Sequence, residues 1–271
     1  MLPMKITRLG WAGLELEAAS AIAVIDLLQS TAPMRQFMGE PHTELPPPSR
    51  SGAAVLALVT HLHEDHTDAE AIAGALGPDG VLLRPAPDEG EFLEVAAQQG
   101  AEQRLTELGV RQQVVAVWET VEVGPFRATA VPAVDGFGDV QVSWIVEAAG
   151  TRIYHAGDTL FHGAWWRARM RTGDIDYAFL PVNGPRVDLP HRQPSSPRNA
   201  VMTPAEAAAA AHLLGAREAI PIHYDTIDNP PIYAQTEDPA GTFLREAAAL
   251  DVTARIVAPG TLVSAGAPST A

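Results

Sequence analysis

Leu14, Leu16 and Ala18 alternate with Glu15 and Glu17, the period of a strand with one buried face. The segments MKITRL, GLELEAA and AIAVIDL read as strands over residues 4–26, with turns at Gly10 and Gly13. A different pattern starts at Val55. The run VLALV is continuously apolar and polar on either side, which predicts a strand covered on both faces. DYAFLPVN reads the same way, and EAIPIHYD is the next strand. VLLRP, QQVVAVW, TVEVG, FRATAVPAV and RIVAPGTLVSA also read as strands, and SWIVEAA and RIYHAGD as a hairpin across Ala149-Gly150. DAEAIAGAL, WWRARMRTG and TFLREAAALDV read as helices, and EFLEVAAQQGAEQRLTELGV as one or two more. TPAEAAAAAHLLGA carries a full start signal: Thr203 as N-cap, Pro204 at the first position and Glu206 three residues after the cap.

Two long irregular stretches interrupt this order. Residues 28–50 hold Pro33, Pro41 and Pro46 to Pro48, and GPRVDLPHRQPSSPRNA precedes Val201. Loops of this length in a compact domain tend to be functional. Strand blocks separated by single helices, twice over, predict two sheets between helix layers. The fold expected is α/β: one four-layer αββα sandwich spanning residues 1–271.

Composition narrows the partners. A net charge of -15 opposes nonspecific nucleic-acid binding, which relies on Lys and Arg neutralising phosphate. The absence of cysteine removes disulfides, thiolate ligands and a cysteine nucleophile. The start, MLPMKITRLGWAG, lacks a basic segment followed by an apolar one, and no apolar run nears the roughly 20 residues of a membrane span. A cytoplasmic protein with no membrane partner is expected, and a homo-oligomer stays open.

The chemistry concentrates after the apolar run, in THLHEDHTD. His61 and His63 share one side of an extended segment. Asp65 and His66 follow once the chain turns, with Thr67 and Asp68 as helix start signals. Two ligand pairs aimed differently from one loop suit two metal ions a few Å apart. Imidazole with carboxylate favours zinc, manganese or iron over calcium or magnesium. A helical His-Glu-x-x-His site is excluded by spacing, because Glu64 precedes His66 by two residues. Two later strands end the same way. RIYHAGDT bends at Gly157 so that Asp158 can face inward, and AIPIHY ends in His223.

His61-x-His63-x-Asp65-His66 after an apolar strand resembles the metallo-β-lactamase superfamily. That resemblance extends over most of the chain and implies the same αββα sandwich. It implies that Asp158 bridges two divalent metal ions and that His223 is the last ligand. One ion would have His61 and His63, the other Asp65, His66 and His223. The superfamily usually supplies a third histidine after a segment like TAVPAV, where this chain has Asp135. Either Asp135 is an oxygen ligand or the position has lost its ligand, with Asp139 a weaker substitute. Zinc is the first expectation, with manganese or iron as alternatives.

The Val-Pro-Ala, Tyr-His-Ala-Gly-Asp-Thr and Ile-His-Tyr segments look most like the branch containing ascorbate-6-phosphate lactonase. The function implied is hydrolysis of a small anionic ester, lactone or phosphodiester by a hydroxide generated at the metals, with Asp65 and Asp158 in the reacting centre. The rivals are a metal-bearing binding protein without activity and a diiron redox enzyme of the same superfamily. Arg186, Arg192 and Arg198 crowd the second long loop beside His191. Arg186, His191 and Arg192 are therefore candidate substrate contacts, His191 also as a proton donor. His155 is either a support for a ligand carboxylate or a core residue. His42 and His212 read as solvated and structural.

Overall fold

A computed structural model describes residues 3–90 and 92–263. The first half runs β1 (Lys5–Gly10), β2 (Gly13–Ala18), β3 (Ala21–Ile25), α1 (Arg35–Met38), β4 (Ala54–Leu58), α2 (Ala69–Ala75), β5 (Leu76–Arg84), α3 (Phe92–Glu107) and β6 (Gln112–Val114). The second runs β7 (Thr120–Val123), β8 (Phe126–Pro132), β9 (Val142–Ala148), β10 (Thr151–His155), α4 (Trp165–Thr172), β11 (Tyr177–Pro181), β12 (Arg186–Val187), α5 (Pro204–Leu214), β13 (Glu218–Ile222), β14 (Tyr233–Ala234), α6 (Pro239–Ala249) and β15 (Leu262–Val263). One sheet has the order β15-β1-β2-β3-β4-β5-β6, the other β13-β11-β10-β9-β8-β7.

The layers follow from strand alternation. Ala23, Ile25, Leu56 and Leu58 turn inward and meet Phe126, Ala128, Trp144 and Phe179 of the other sheet in the central core. Ile22, Val24, Ala57 and Val59 turn outward against Ile72 of α2 and Leu105 of α3. On the far side, Ile145, Tyr154 and Ala178 meet Trp165, Ala211 and Phe243 of α4, α5 and α6. Helix, sheet, sheet and helix layers result, as the sequence predicts. The Trp144 indole crosses the core and donates to the Val59 carbonyl at 2.9 Å. This ties the second sheet to the end of β4.

Strand direction decides where the chemistry can sit. β3, β4 and β5 are mutually parallel neighbours, as are β10, β11 and β13. β8 is antiparallel to β9, and β9 to β10, so β8 and β10 run the same way. The carboxyl ends of β3 and β4 lie at one edge of their sheet, and those of β8, β10, β11 and β13 at one edge of theirs. The hairpin between β9 and β10 turns at Ala149 and Gly150, both with positive φ, the geometry that matches strand twist.

Several boundaries differ from the sequence reading. QQVVAVW pairs only over Gln112–Val114, because Trp118 takes φ 73 and its N–H bonds the Ala130 carbonyl. RIVAPGTLVSA is paired to β1 only at Leu262–Val263, since Pro259-Gly260 turns the chain. The expected continuation through Ser264 and Ala265 lies outside the described residues, as does Glu91, where the sequence reading starts the helix that becomes α3. The two long loops hold more structure than expected. The first contains α1, and the second contributes β12, which pairs with β14 as a separate ribbon.

The start of α5 makes a direct test. The Thr203 side chain accepts from the Glu206 N–H while Glu206 accepts from the Thr203 N–H. Thr203→Ala should cost about 1 kcal/mol in urea unfolding and Thr203→Ser much less. Equal losses in both would show that the cap is not the source.

Candidate metal centre

Every ligand-type side chain leaves a strand end or the turn just beyond it. β3 delivers Asp26, β4 the run from Thr60 to His66, β8 Asp135, β10 Asp158, β11 Asn183 and β13 His223. After β4, the His66 and Thr67 N–H groups both bond the His63 carbonyl, and Thr67 Oγ1 donates to the His61 carbonyl at 2.8 Å. Asp68 caps α2 by accepting from the Ala71 N–H at 3.0 Å. The loop is thereby held in the curl that separates His61 and His63 from Asp65 and His66.

The structure brings all seven expected metal-type residues together. Ligand atoms of His61, His63, Asp135 and Asp158 lie within 4.8 Å of one another. The same holds for His66, Asp158 and His223, and for His61, Asp65 and His66. Asp158 belongs to groups on both sides.

Hydrogen bonds behind the rings set which nitrogen carries a proton. Asp26 is fully buried; one oxygen accepts from the Thr60 N–H at 2.8 Å. Its other oxygen accepts from Thr60 Oγ1 at 2.8 Å and from His66 Nδ1 at 2.7 Å. Thr60 Oγ1, its proton committed to Asp26, accepts from His61 Nδ1 at 3.1 Å. His223 Nδ1 donates to Asn183 Oδ1 at 3.1 Å, and the Asn183 amide donates to the Tyr233 hydroxyl at 2.8 Å. His63 is reversed: Nε2 donates to Asp139 Oδ2 at 2.6 Å, so Nδ1 is the nitrogen that faces the cluster.

The ring nitrogens not engaged in these bonds therefore point inward, towards one another and towards carboxylates. His61 Nε2 and Asp135 Oδ2 are buried with no hydrogen-bond partner. His66 Nε2 and His223 Nε2 face each other at 3.1 Å, each 3.4 Å from Asp65 Oδ2. Converging lone pairs repel unless a proton or a metal cation lies between them. A cluster of imidazole nitrogen and carboxylate oxygen fits a zinc-, manganese- or iron-type ion.

The electrostatics express the same frustration. Burial, with His66 and His63 nearby, holds His61 well below its usual pKa. Burial takes His223 down to about 4. Burial also opposes charge on His66, yet Asp65, Asp26 and Asp158 raise it well above the usual range. Asp158 is pushed up to about 7, chiefly by burial, with Asp135 and Asp65 adding repulsion.

Asp135, rather than Asp139, joins the cluster. Its Oδ1 accepts from the Phe137 and Asp139 N–H groups at 2.6 and 3.2 Å, leaving Oδ2 4.0 Å from His63 Nδ1. Asp139 sits behind His63. Gln141 donates to Asp158 Oδ1 at 2.8 Å. Gly157 takes φ +69, and a Cβ there would lie 2.8 Å from Gln141 Nε2 and Thr60 Oγ1, so only glycine fits this turn.

His155 holds the turn rather than a ligand carboxylate. Its Nε2 donates to the Ala12 carbonyl at 2.8 Å, and its Nδ1 accepts from the Gly157 N–H at 3.2 Å. His42 bonds the Asp228 carbonyl and His212 the Leu250 carbonyl. Trp11 was missed by sequence reasoning. Its indole donates to Asp65 Oδ2 at 3.1 Å, and its ring centre lies 3.8 Å from that of His223. Asp26, Thr60, Gln141, Asn183 and Tyr233 were also missed as supports. Of these, only Asp26 carried a signal, as the polar end of an apolar strand.

Two arginines of the arginine-rich loop bond within the protein. Arg192 is engaged internally, with Nη2 3.2 Å from Asp139 Oδ2 and Nη1 3.2 Å from the Phe137 carbonyl. Arg186 donates to the Pro197 carbonyl. Arg198 makes no side-chain bond among the described residues and lines a cavity of about 350 Å³ with Phe137, His191 and Ser196. His191 also borders a second cavity of about 390 Å³ beside Asp139, and its ring meets the edge of Phe37 at 5.8 Å.

Residues 23–224 match the family model for the beta-lactamase superfamily domain. The chain belongs to the metallo-β-lactamase superfamily. Among its relatives is a UPF0173 metal-dependent hydrolase from Thermococcus onnurineus, 32% identical over 68% of this chain and 72% of the relative. Another, from Thermococcus kodakarensis, is 28% identical over 87% and 90% of the two chains. Solved structures share the superfamily fold. Igni18, a metallo hydrolase from Ignicoccus hospitalis, superposes with a TM-score of 0.64 at 21% identity, covering 96% of this chain and 97% of that one. CmlA, a diiron beta-hydroxylase from Streptomyces venezuelae, reaches 0.73 at 16% identity, covering 97% and 54%. No helix among the described residues is long and apolar enough to cross a membrane.

Asp26 is the support on which this superfamily site most depends. Asp26→Ala leaves the Thr60 N–H and His66 Nδ1 without an acceptor in a fully buried place. It should destabilise the protein by at least about 3 kcal/mol in urea unfolding and strip bound metal. Near-normal stability and metal content in this variant would show that the rings are oriented by something else.

Proposed function

We propose that this protein is a metal-dependent hydrolase with two divalent ions, acting on a small anionic ester, lactone or phosphodiester. The observation that carries this reading is the convergence of nitrogens of His61, His63, His66 and His223 on the carboxylates of Asp65, Asp135 and Asp158, with His61 Nε2 and Asp135 Oδ2 buried and unpartnered. His61, His63 and Asp135 would hold one ion, Asp65, His66 and His223 the other, with Asp158 between. Zinc is the first candidate, then manganese or iron. When bound, such ions supply Lewis acidity and lower the pKa of water towards neutrality. The names of the Thermococcus relatives support hydrolysis.

The remaining roles belong to the chain. Asn183, Thr60 and Asp139 engage the outward ring nitrogens and so aim the other nitrogen of each ring at the cluster. Gln141 orients Asp158. The cavity beside Phe137 offers the substrate an apolar ring, the unpaired guanidinium of Arg198 and the imidazole of His191 as a proton donor. An anion there suits the ascorbate-6-phosphate-lactonase-like reading, in which a phosphorylated lactone is held by its remote charge.

Metal analysis of the purified protein should find about two ions per chain. Asp158→Asn should abolish hydrolysis across a panel of lactones, esters and phosphodiesters and lower the metal content. Chelation should reduce unfolding free energy by about 3 kcal/mol for an ion present at about a hundred times its Kd. A protein that takes up no divalent metal would end this reading.

Substrate charge has its own test. Arg198→Ala should raise KM for an anionic substrate about tenfold, roughly 1.4 kcal/mol, and leave a neutral analogue little changed. Equal effects on both would remove Arg198 from the binding site.

A further inference from the structure

One side chain links the loop of residues 184–199 to the cluster. Arg192 Nη2 donates to Asp139 Oδ2 at 3.2 Å, and the same oxygen accepts from His63 Nε2 at 2.6 Å. The guanidinium also bonds the Phe137 carbonyl and lies 4.9 Å from the Phe137 ring centre. Phe137 and Asp139 are anchored in turn, because their N–H groups bond Asp135 Oδ1. Arg192 thus closes a small cage whose members include two cluster residues, His63 and Asp135.

His63 needs this support more than its neighbours do. His61, His66 and His223 turn Nε2 inward, at the tip of the ring, whereas His63 turns Nδ1, beside its own Cβ. Presenting Nδ1 demands one ring orientation and a proton on Nε2. Released from Asp139, the imidazole can turn or move its proton to Nδ1, and either change removes the inward lone pair. Asp139 prevents both. Arg192 holds Asp139 in place and balances its charge beside the other carboxylates.

We propose that Asp139 and Arg192 are positioning residues for His63, so that the 184–199 loop is part of the metal centre as well as a wall of the adjoining cavity. This rests on the metal-dependent reading above. It replaces the role that composition suggests for Arg192, that of a direct receptor for a substrate anion.

Zinc retention separates the two roles without recourse to activity. Wild-type protein loaded with zinc is titrated with a chromogenic chelator, alongside Arg192→Ala, Arg192→Lys and Asp139→Asn. Arg192→Ala and Asp139→Asn should each weaken retention about 10- to 100-fold, the usual effect of removing an outer partner from a metal-bound histidine. Arg192→Lys should recover part of the loss, because an ammonium can still pair with Asp139. Melting of the chelator-stripped Arg192→Ala protein should stay close to that of stripped wild type, since Arg192 is partly exposed. Wild-type retention in both Arg192→Ala and Asp139→Asn would overturn the proposal. So would a change confined to KM for anionic substrates. Failure of the wild type itself to hold zinc would instead sink the metal reading and the proposal together.

Discussion

Asp26 has two oxygens and three donors, and the site is arranged around that fact. Its carboxylate lies wholly within the protein, where an ionised group persists only with full hydrogen bonding. Thr60 supplies two of the bonds and His66 the third. Their effect is directional. Because the Thr60 hydroxyl points its proton at Asp26, it can only accept from His61, and two rings are set by one buried charge. The arrangement also joins β3 to the turn after β4, so the orientation of the rings and the register of the sheet share a cause.

This explains what was legible in the sequence. The four layers were readable because strand alternation and apolar runs report burial, and burial is all that stacking two sheets requires. His61, His63, Asp65 and His66 were readable because such a density of metal-type groups after an apolar strand has few other uses. Asp158 and His223 followed from the same strand-end logic and from resemblance. Asp135 looked like a gap in the superfamily pattern, and the structure seats it in the cluster through its bonds to Phe137 and Asp139.

The supports were not readable, and the reason is physical. Thr60, Asn183, Gln141 and Tyr233 act by the direction of single hydrogen bonds, which no periodicity encodes. Arg192 illustrates the same point for charge. Its composition and loop position suggest a free guanidinium, yet Asp139 and the Phe137 carbonyl already occupy it. Net charge reports the average field of the molecule, while pairing depends on which carboxylate lies within about 4 Å. The short ribbon of β12 and β14 was missed for a related reason: strands of two residues carry no pattern.

The scattering of the candidate ligands over four strand ends has a kinetic consequence. His66 and His223 touch although 157 positions separate them, and they belong to different sheets. Contacts of such sequence separation form late, after loop closure has cost its entropy. An unfolded chain offers an ion only the short run from His61 to His66. The complete cluster would therefore form on the native side of the folding barrier and be largely absent at its summit. An ion captured there leaves the rate of folding nearly unchanged and slows the rate of unfolding. A metal held by this cluster would act as a lock on the finished sandwich, and its loss would shorten the lifetime of the fold before altering the fold itself.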